Sequence, residues 1–421
     1  MAERGTTVTR ADAIARVIAR NTNQVQVKVF DGSRAGPADA PVTIDFRSPR
    51  AFNFLATSPN QLGLARAFVS GEINVDGDLY TALSTLGNQR FDVPVAEMLT
   101  LVRQLGGLRL LRRPPRPPQE VRLRGRRHSK ARDSQAISHH YDVSNKFYEW
   151  LLGPSMAYTC AVYPTAAATL EEAQFAKHDL VARKIGLRPG MRLLDVGCGW
   201  GGMVMHAARH YGVKALGVTL SRRQAEWAQK AIADAGLSDL AEVRHLDYRD
   251  VEEKEFDAIS SIGLTEHIGV RQMPAYFAFL HKRLRPGGRL LNHCITEPDN
   301  QTPVARNGFI SRYIFPDGEL TGVGRIISDM HDAGFEVRHE ENLREHYAMT
   351  TRAWAENLDA HWDESVREVG LPKARTWRLY LAGVRLGFER NQIQLHQVLG
   401  VRLHADGGSD MPLRPDWESA A

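Results

Sequence analysis

The feature that most constrains the fold of this chain is an apolar segment, Met191–Asp195, that runs directly into a glycine-rich turn, GCGWGG at 197–202. A short apolar run of this kind predicts a buried strand. Glycines in the turn let the backbone approach a ligand closely, because no side chain stands in the way. The strand, the turn and a following helix therefore predict a ligand site at the carboxyl end of a parallel sheet.

Apolar and amphipathic segments alternate through the second half of the chain. This alternation predicts an α/β fold in which helices cover both faces of a parallel sheet. The predicted strands are Met191–Asp195, Val213–Thr219, Val243–Asp247, Phe256–Gly263, Arg289–Thr296 and Ile393–Val401. The predicted helices are Met203–Tyr211, a segment capped by Ser221 and ended by Gly236, Met273–Leu284, Thr350–Val369 and Lys373–Gln392.

A basic, proline-rich segment divides the chain. Residues 112–132 hold nine Lys and Arg against one acidic residue, a local charge of +8 in a chain whose total is +5. Four prolines in the same stretch exclude a helix interior or a central strand, so the segment is interpreted as a linker. The length of 421 residues is enough for two domains. The predicted organisation is a small α+β amino-terminal domain over 1–111, with strands at Val25–Phe30 and Pro41–Phe46, the linker over 112–133, and a catalytic domain over 134–421.

Composition narrows the class of protein further. The hydrophobic fraction of 43% and the charged fraction of 24% exclude a largely disordered or coiled-coil chain. No signal peptide and no apolar stretch of about eighteen residues is found, so we expect a soluble or peripheral protein in the cytoplasm. Cys160, Cys198 and Cys294 are widely separated, which indicates neither a disulfide framework nor a metal site.

The glycine turn lacks the partners of two common nucleotide sites. A P-loop requires Gly-Lys-Ser/Thr after its glycines, and that sequence does not follow here. A nicotinamide site usually has an acidic residue at the end of the second strand, where this chain has Gly217, Val218 and Thr219. Neither nucleotide class fits the turn.

The segment LLDVGCGWGG at 193–202, together with PGG at 286–288, resembles the class I S-adenosylmethionine methyltransferases. Further segments extend the resemblance over almost the whole chain, to the cyclopropane-fatty-acyl-phospholipid synthase family. They are HHYDVS at 139–144, YTCA at 158–161, IGLTEHIG at 262–269, NHCI at 292–295, YIFPDG at 313–318 and IQL at 393–395. The resemblance implies a Rossmann-like, mostly parallel seven-stranded sheet, S-adenosylmethionine as cofactor, and a cis double bond in an acyl chain of a membrane phospholipid as substrate.

The resemblance also implies the site residues. Once a methyl group has been added to an alkene, a base must remove a proton and water must be kept from the cation. In this family the base is a bound bicarbonate, and the matching positions here are Cys160, Glu266, His293, Ile295 and Tyr347. Cys160 as an inert buried thiol is the simpler alternative for that residue. The positions that match the family's cofactor site are Tyr158, Thr159, Asp195, Gly197, Gly199, Gly201, Thr219, Leu220, Ser221, Gln224, Tyr248, Arg249 and Ile262.

Two departures from ring-forming relatives bear on the product. Thr265 stands where those relatives usually have an aromatic residue, and Glu149 adds a carboxylate upstream of Cys160. A shifted or additional base would favour proton loss from the neighbouring carbon, although Glu149 as an exposed helix residue stays equally open. With the overall resemblance to the actinobacterial tuberculostearic (10-methyl-stearic) acid methyltransferases, this favours a methylene product that a separate reductase saturates. A cyclopropane is the alternative product.

The basic segment predicts a partner. Each Lys or Arg near an anionic membrane surface contributes about 1 kcal/mol, so we expect a peripheral protein at the inner face of the membrane. The amino-terminal domain is expected to assist docking or to form a homo-oligomer, and a solvated hinge is the simpler alternative for the segment. A nucleic-acid methyltransferase would use the same charges, but the chain lacks an Asn/Asp-Pro-Pro-aromatic motif, so no nucleic-acid partner is expected. A non-enzymatic lipid-binding protein with this fold is the other alternative.

Overall fold

The structure, a computed structural model, describes residues 9–18, 22–87, 102–121, 125–141, 144–301 and 308–417. Residues 122–124 of the basic segment and 142–143 of the HHYDVS motif therefore lie outside the described residues. The strands are β1 (Val25–Val29), β2 (Arg34–Ala35), β3 (Val42–Phe46), β4 (Ile73–Asp76), β5 (Arg192–Val196), β6 (Lys214–Thr219), β7 (Ala241–His245), β8 (Phe256–Ile262), β9 (Leu284–Thr296), β10 (Glu336–Asn342) and β11 (Gln394–Val401). The helices are Arg10–Ile18, Pro49–Thr57, Gln61–Val69, Leu79–Gly87, Lys130–Tyr141, Asn145–Leu152, Leu170–Lys184, Gly202–Tyr211, Arg222–Asp234, Thr265–Ile268, Met273–Arg283, Phe309–Tyr313, Val323–Asp332, Arg344–Ala360, Trp362–Val369 and Leu371–Glu389, with 3₁₀ turns at Gly107–Leu111, Tyr248–Asp250 and Val270–Gln272.

The described residues divide by their contacts into two compact units. The first comprises the described residues of Met1–Val121, Asn307–Ile314 and Gly370–Leu386. It contains a four-stranded sheet of order β2-β1-β3-β4. Apolar side chains of this sheet pack with Phe52 and Phe54 of the helix Pro49–Thr57. This packing gives the unit its own core.

This division differs from the predicted domain boundaries in two ways. Arg112–Val121 joins the first unit rather than a linker, because Glu120 forms a buried ion pair of 2.7 Å with Arg66. The helix that begins at Leu371 also contributes to the first unit, where Leu379 packs in one cluster with Phe68. Packing between segments this far apart in sequence leaves no signal in local composition.

The second unit contains a seven-stranded sheet of order β10-β11-β9-β8-β5-β6-β7. The strands from β5 to β9 pair in parallel, whereas β11 pairs antiparallel with both β9 and β10. The predicted α/β fold with a mostly parallel seven-stranded sheet is therefore confirmed. Strand order reverses beside β5, which places the glycine turn at the point where such sheets bind ligands.

Several predicted elements differ from the structure in extent. The strand β10 was not predicted, because its sequence EVRHEEN is polar and five of its seven residues are only partly buried. The predicted helix Thr350–Val369 is two helices that meet at His361, and the predicted helix Lys373–Gln392 runs from Leu371 to Glu389. None of the helices within the described ranges combines the length and the apolar composition that a membrane crossing requires.

Part of the basic segment is neutralised within the second unit. A helix begins at Lys130, inside the predicted linker, and the ammonium of Lys130 pairs with Asp250 at 2.6 Å. Arg127 and Arg132 both pair with the buried carboxylate of Asp317, Arg127 at 3.2 Å. These ion pairs fix the end of the segment to the catalytic unit, so only the remaining cations are available to a partner.

Candidate active site

A cavity lies at the carboxyl ends of β5, β6 and β8, above the glycine turn. The turn follows Val196 with Gly197, Gly199 and Gly201 at φ values of 76°, 55° and 82°, which only glycine adopts without strain. Eleven of the predicted cofactor positions line the cavity. They are Tyr158, Thr159, Asp195, Gly197, Gly199, Thr219, Leu220, Gln224, Tyr248, Arg249 and Ile262.

The two remaining predicted cofactor positions, Gly201 and Ser221, do not line the cavity. A side chain at Gly201 would lie 3.2 Å from Ala228 and 3.5 Å from Val243, so this glycine permits close packing behind the turn. The hydroxyl of Ser221 accepts a hydrogen bond from the backbone N–H of Gln224 and caps the helix that starts at Arg222. Both residues support the cavity wall from outside.

Hydrogen bonds orient the amide of Gln224 toward the cavity. The hydroxyl of Thr219 accepts from the backbone N–H of Ser221 at 3.2 Å and donates to Gln224 Oε1 at 2.7 Å. The Nε2 of the same amide is then left to face the space above Gly199, 4.0 Å from where a side chain there would begin. A donor in this position suits the hydroxyl or carboxylate oxygens of a cofactor.

Arg249 fixes a second wall of the cavity through ion pairs. Its guanidinium donates to both oxygens of Asp247, at 2.8 and 2.6 Å, and to Asp133 at 3.0 Å. Asp133 belongs to the helix Lys130–Tyr141, which contributes Ala136 and Ile137 to the cavity. This ion-pair group therefore fixes that helix over the wall that carries Tyr248.

Lys177 and His178, which sequence reasoning missed, also line the cavity. The ammonium of Lys177 is buried, 1% exposed, and donates to Thr159 Oγ1 at 3.0 Å. Burial lowers the pKa of Lys177 to about 7, although Asp195 opposes this shift. Burial likewise raises the pKa of Asp195 to about 6, against a 2.6 Å hydrogen bond from Ser260 and the charge of Lys177. Lys177 lies on the buried face of the helix Leu170–Lys184, which is not among the helices predicted from the sequence.

Glu266 and Ile295, two of the predicted catalytic positions, are in contact. The backbone N–H of Ile295 donates to Glu266 Oε1 at 2.8 Å. The other carboxyl oxygen, Oε2, is buried and has no hydrogen-bond partner among the described residues. Burial raises the pKa of Glu266 to about 7, although the Ile295 N–H opposes the shift. This carboxyl group changes its protonation state near neutral pH.

His293 is the next predicted catalytic position. It is buried in β9, and its backbone carbonyl accepts from the N–H of Gly263, a cavity residue, at 2.8 Å. Its Nδ1 lies 3.2 Å from the amide nitrogen of Gln397, while its Nε2 has no partner within the described part of the chain. Burial holds the pKa of His293 well below its usual value, so the ring is neutral.

The last two predicted catalytic residues, Cys160 and Tyr347, both contact the backbone carbonyl of Leu343. The thiol of Cys160 lies 3.8 Å from the carbonyl oxygen of Leu343, which also accepts from the backbone N–H of Tyr347 at 3.1 Å. Burial raises the pKa of Cys160 well above its usual value, so the thiol is not an ionised nucleophile. The ring of Tyr347 stacks on Phe388 at 4.5 Å. None of the five predicted catalytic residues lines the cofactor cavity itself.

The structure does not support the prediction that Glu149 supplies a base. Its side chain is 39% exposed, pairs with Lys146 at 2.9 Å and lies outside the cavity lining, because the helix Asn145–Leu152 turns this face away. A base that removes a proton from a carbocation must be shielded from water.

Thr265 is the other departure from ring-forming relatives. Its hydroxyl is used in a hydrogen bond, which it donates to Asn292 Oδ1 at 2.5 Å.

Comparison with known proteins agrees with this geometry. Residues 128–398 match the family model described as mycolic acid cyclopropane synthetase. A probable fatty acid methyltransferase of Mycobacterium tuberculosis is 54% identical over 420 residues, which cover 97% of this chain and 98% of the relative. The cyclopropane-fatty-acyl-phospholipid synthase of Escherichia coli is 36% identical over 62% of this chain and 66% of its own length. A crystal structure of the mycolic acid cyclopropane synthase CmaA1 complexed with SAH and CTAB aligns with a TM-score of 0.59 and 32% identity, over 63% of this chain and 97% of that one.

Proposed function

The chain belongs to the mycolic acid cyclopropane synthetase family of S-adenosylmethionine-dependent C-methyltransferases that act on fatty acyl chains, and we propose that it methylates the cis double bond of an unsaturated phospholipid acyl chain. The observation that carries the proposal is the pair of buried polar atoms without partners, Glu266 Oε2 and His293 Nε2, in segments that adjoin the cofactor cavity. The alkene itself needs no polar partner. The proton that is lost after methylation, however, needs a polar group that accepts it.

The residues of the cavity suit S-adenosylmethionine, which when bound supplies an electrophilic methyl group. Gln224 presents a donor beside the glycine turn, and the buried carboxyl of Asp195 supplies an acceptor. Tyr158 lies in an aromatic group with Trp354 at 5.2 Å and Phe315 at 6.5 Å. Of the three, Tyr158 lines the cavity, and an aromatic face there excludes water and favours a cation that forms beside it.

The predicted bicarbonate fits the residues present. Both unpartnered atoms are buried, and Glu266 is bonded to Ile295, two residues from His293 on β9, so we infer that one small oxyanion reaches both. The raised pKa of Glu266 lets it carry a proton near neutral pH, so that Glu266 is a donor rather than a second negative charge. Glu266, itself held by the backbone N–H of Ile295, and His293 would bind the ion, whose chemistry there is to accept a proton.

The product proposed is a methylene, and after reduction a methyl-branched, fatty acid. The chain is 54% identical to a probable fatty acid methyltransferase and 36% identical to a cyclopropane-fatty-acyl-phospholipid synthase, so of these two the relative that is not named for ring formation is the more similar. Thr265 supports the methylene product, whereas Glu149 no longer does, because of its position. Saturation of the methylene would require a separate reductase.

We expect a host rich in oleoyl phospholipid that expresses this chain alone to accumulate acyl chains heavier by one carbon with an exomethylene group. Mass spectrometry with fragmentation, and proton NMR of the extracted lipids, would locate the added carbon. Cyclopropane protons would instead assign the ring-forming reaction. Lipids without added carbon, from cells that contain folded protein, would contradict methylation of phospholipid.

An apolar and basic patch in the first unit supports association with a membrane. Leu108 is 87% exposed and Leu111 is 64% exposed, both on the turn Gly107–Leu111. Exposed arginines at 112, 113 and 116 follow directly. Exposed leucines beside cations fit the headgroup boundary of an anionic bilayer. We therefore propose that the protein associates with an anionic membrane surface, at the inner face of the cytoplasmic membrane.

Replacing Leu108 and Leu111 together by Ser should lower binding to vesicles of phosphatidylglycerol by up to roughly a thousandfold, because each leucine that enters the bilayer contributes about 2 kcal/mol of transfer free energy. Vesicle sedimentation at 0.15 M salt measures the binding. Leu413→Ser is the matched control, since Leu413 is 98% exposed but has no such cluster of arginines beside it. Equal binding by the double variant and the wild type would remove this patch from the interface.

A further inference from the structure

Three residues of the second unit form one row across the sheet beside the proposed catalytic site. Gln397 of β11 is the register partner of Glu341 on β10 and of His293 on β9. Directly paired residues carry their side chains on the same face of a sheet. Lys184, from the end of the helix Leu170–Lys184, reaches this row from above, with its ammonium against the carboxylate of Glu341 and 2.7 Å from Gln397 Oε1.

The contacts of Lys184 fix the orientation of the Gln397 amide. The Lys184 side chain is fully buried; burial lowers the pKa of its ammonium, and the ion pair with Glu341 opposes this shift and favours the charged form. An ammonium has only donors, so the amide atom that faces it must be the carbonyl oxygen. The NH₂ of Gln397 then faces His293 Nδ1 at 3.2 Å. Because an amide NH₂ can only donate, Nδ1 of His293 must accept.

We propose that Lys184 and Gln397 are positioning residues that fix His293 in the tautomer with its proton on Nε2, so that this nitrogen donates into the catalytic site. A neutral imidazole that accepts at Nδ1 carries its hydrogen at Nε2. His293 Nε2 is buried without a partner among the described residues, which leaves that N–H available to a small oxyanion. The identity of the acceptor rests on the proposed function, but the tautomer rests only on the row of contacts.

The tautomer can be measured directly in the unmodified protein. In protein labelled with ¹⁵N-histidine, two-bond correlation spectra distinguish a ring protonated at Nε2 from one protonated at Nδ1, and the absence of one signal in His293→Gln assigns the residue. We expect protonation at Nε2 at pH 7.5. Protonation at Nδ1 would overturn the proposal, even in an enzyme that methylates lipid normally. A wild type that leaves lipid unmodified would contradict the proposed function but not the tautomer.

Gln397→Glu tests the mechanism with almost no change in shape. A carboxylate has only acceptors, so it should draw the ring proton to Nδ1 and leave Nε2 as an acceptor. We expect the ¹⁵N signals of His293 to show this exchange, and kcat to fall at least about tenfold while the affinity for S-adenosylhomocysteine stays unchanged.

The matched control is Gln394→Glu, the same substitution on the same strand, where the side chain bonds Asn391 at the surface. It should leave both the tautomer and kcat as in the wild type.

Lys184→Met is the second variant. It removes the ammonium that orients the Gln397 amide, so it should give a mixture of the two His293 tautomers. An unchanged Nε2-protonated ring in both Gln397→Glu and Lys184→Met would overturn the proposal.

Discussion

Glu266→Gln should reduce turnover to background, while the affinity for S-adenosylhomocysteine stays within about twofold of the wild type. The amide has nearly the shape of the acid and keeps an acceptor for the N–H of Ile295, 2.8 Å from Oε1 in the wild type. It cannot exchange a proton, and the buried Oε2 position is where that exchange is proposed. Turnover is measured on oleoyl phospholipid vesicles, and affinity by calorimetry.

The matched control for this variant is Glu149→Gln. Glu149 is 39% exposed and pairs with Lys146, so the same chemical change there should leave turnover near that of the wild type. Activity retained by Glu266→Gln would remove Glu266 from the mechanism. Activity lost in Glu149→Gln alone would restore the sequence-based prediction that Glu149 is a base.

The same substitution should change the free energy of unfolding by an amount that depends on pH. Burial raises the pKa of Glu266 from 4.5 to about 7, so the folded chain holds this proton more tightly than the unfolded chain does. The resulting stabilisation is complete below pH 4.5 and is lost as the pH rises through about 7. Glu266→Gln should therefore exceed the wild type in stability at pH 8, by up to roughly 3 kcal/mol, and show little difference at pH 5. Thermal unfolding at the two pH values tests this sign.

Lys177→Met should weaken the binding of S-adenosylhomocysteine at least about tenfold. The variant removes a hydrogen bond of 3.0 Å to Thr159 and the positive charge that favours the ionised form of Asp195. Leaving a buried carboxylate without its cation costs about 3–5 kcal/mol, and the protein responds by keeping the carboxyl protonated. A protonated Asp195 accepts hydrogen bonds from the cofactor less well.

Calorimetric titration at pH 6.5, where most of Lys177 carries its proton and most of Asp195 is ionised, measures this effect, and thermal unfolding shows whether the variant is folded. Lys146→Met is the matched control, because the Lys146 side chain is 57% exposed and pairs outside the cavity. Affinity equal to that of the wild type in a folded Lys177→Met variant would exclude Lys177 from the cofactor site.

Local sequence patterns predicted six of the seven strands of the larger sheet, and the family resemblance indicated one side of the site. The apolar run before the glycine turn placed β5, and eleven of thirteen predicted cofactor positions line one cavity. The resemblance to the family supplied these positions, and all but Tyr158 and Thr159 lie at or shortly after the ends of β5, β6, β7 and β8. Gly201 and Ser221 do not line the cavity: Gly201 packs against Ala228 and Val243, and Ser221 caps the helix that starts at Arg222.

The sequence by itself determined the alternation of strands and helices, the glycine turn and the family resemblance, because each is written in neighbouring residues. Only the tertiary structure decided that Lys184 and Gln397 contact each other and that Gln397 contacts His293, since cross-strand register joins residues more than a hundred positions apart. Only the tertiary structure, too, separated Glu266, buried with a pKa near 7, from Glu149, exposed and ion-paired. In the sequence the two glutamates cannot be distinguished. Their roles differ because the packing of distant segments buries Glu266, which raises its pKa, and leaves Glu149 exposed.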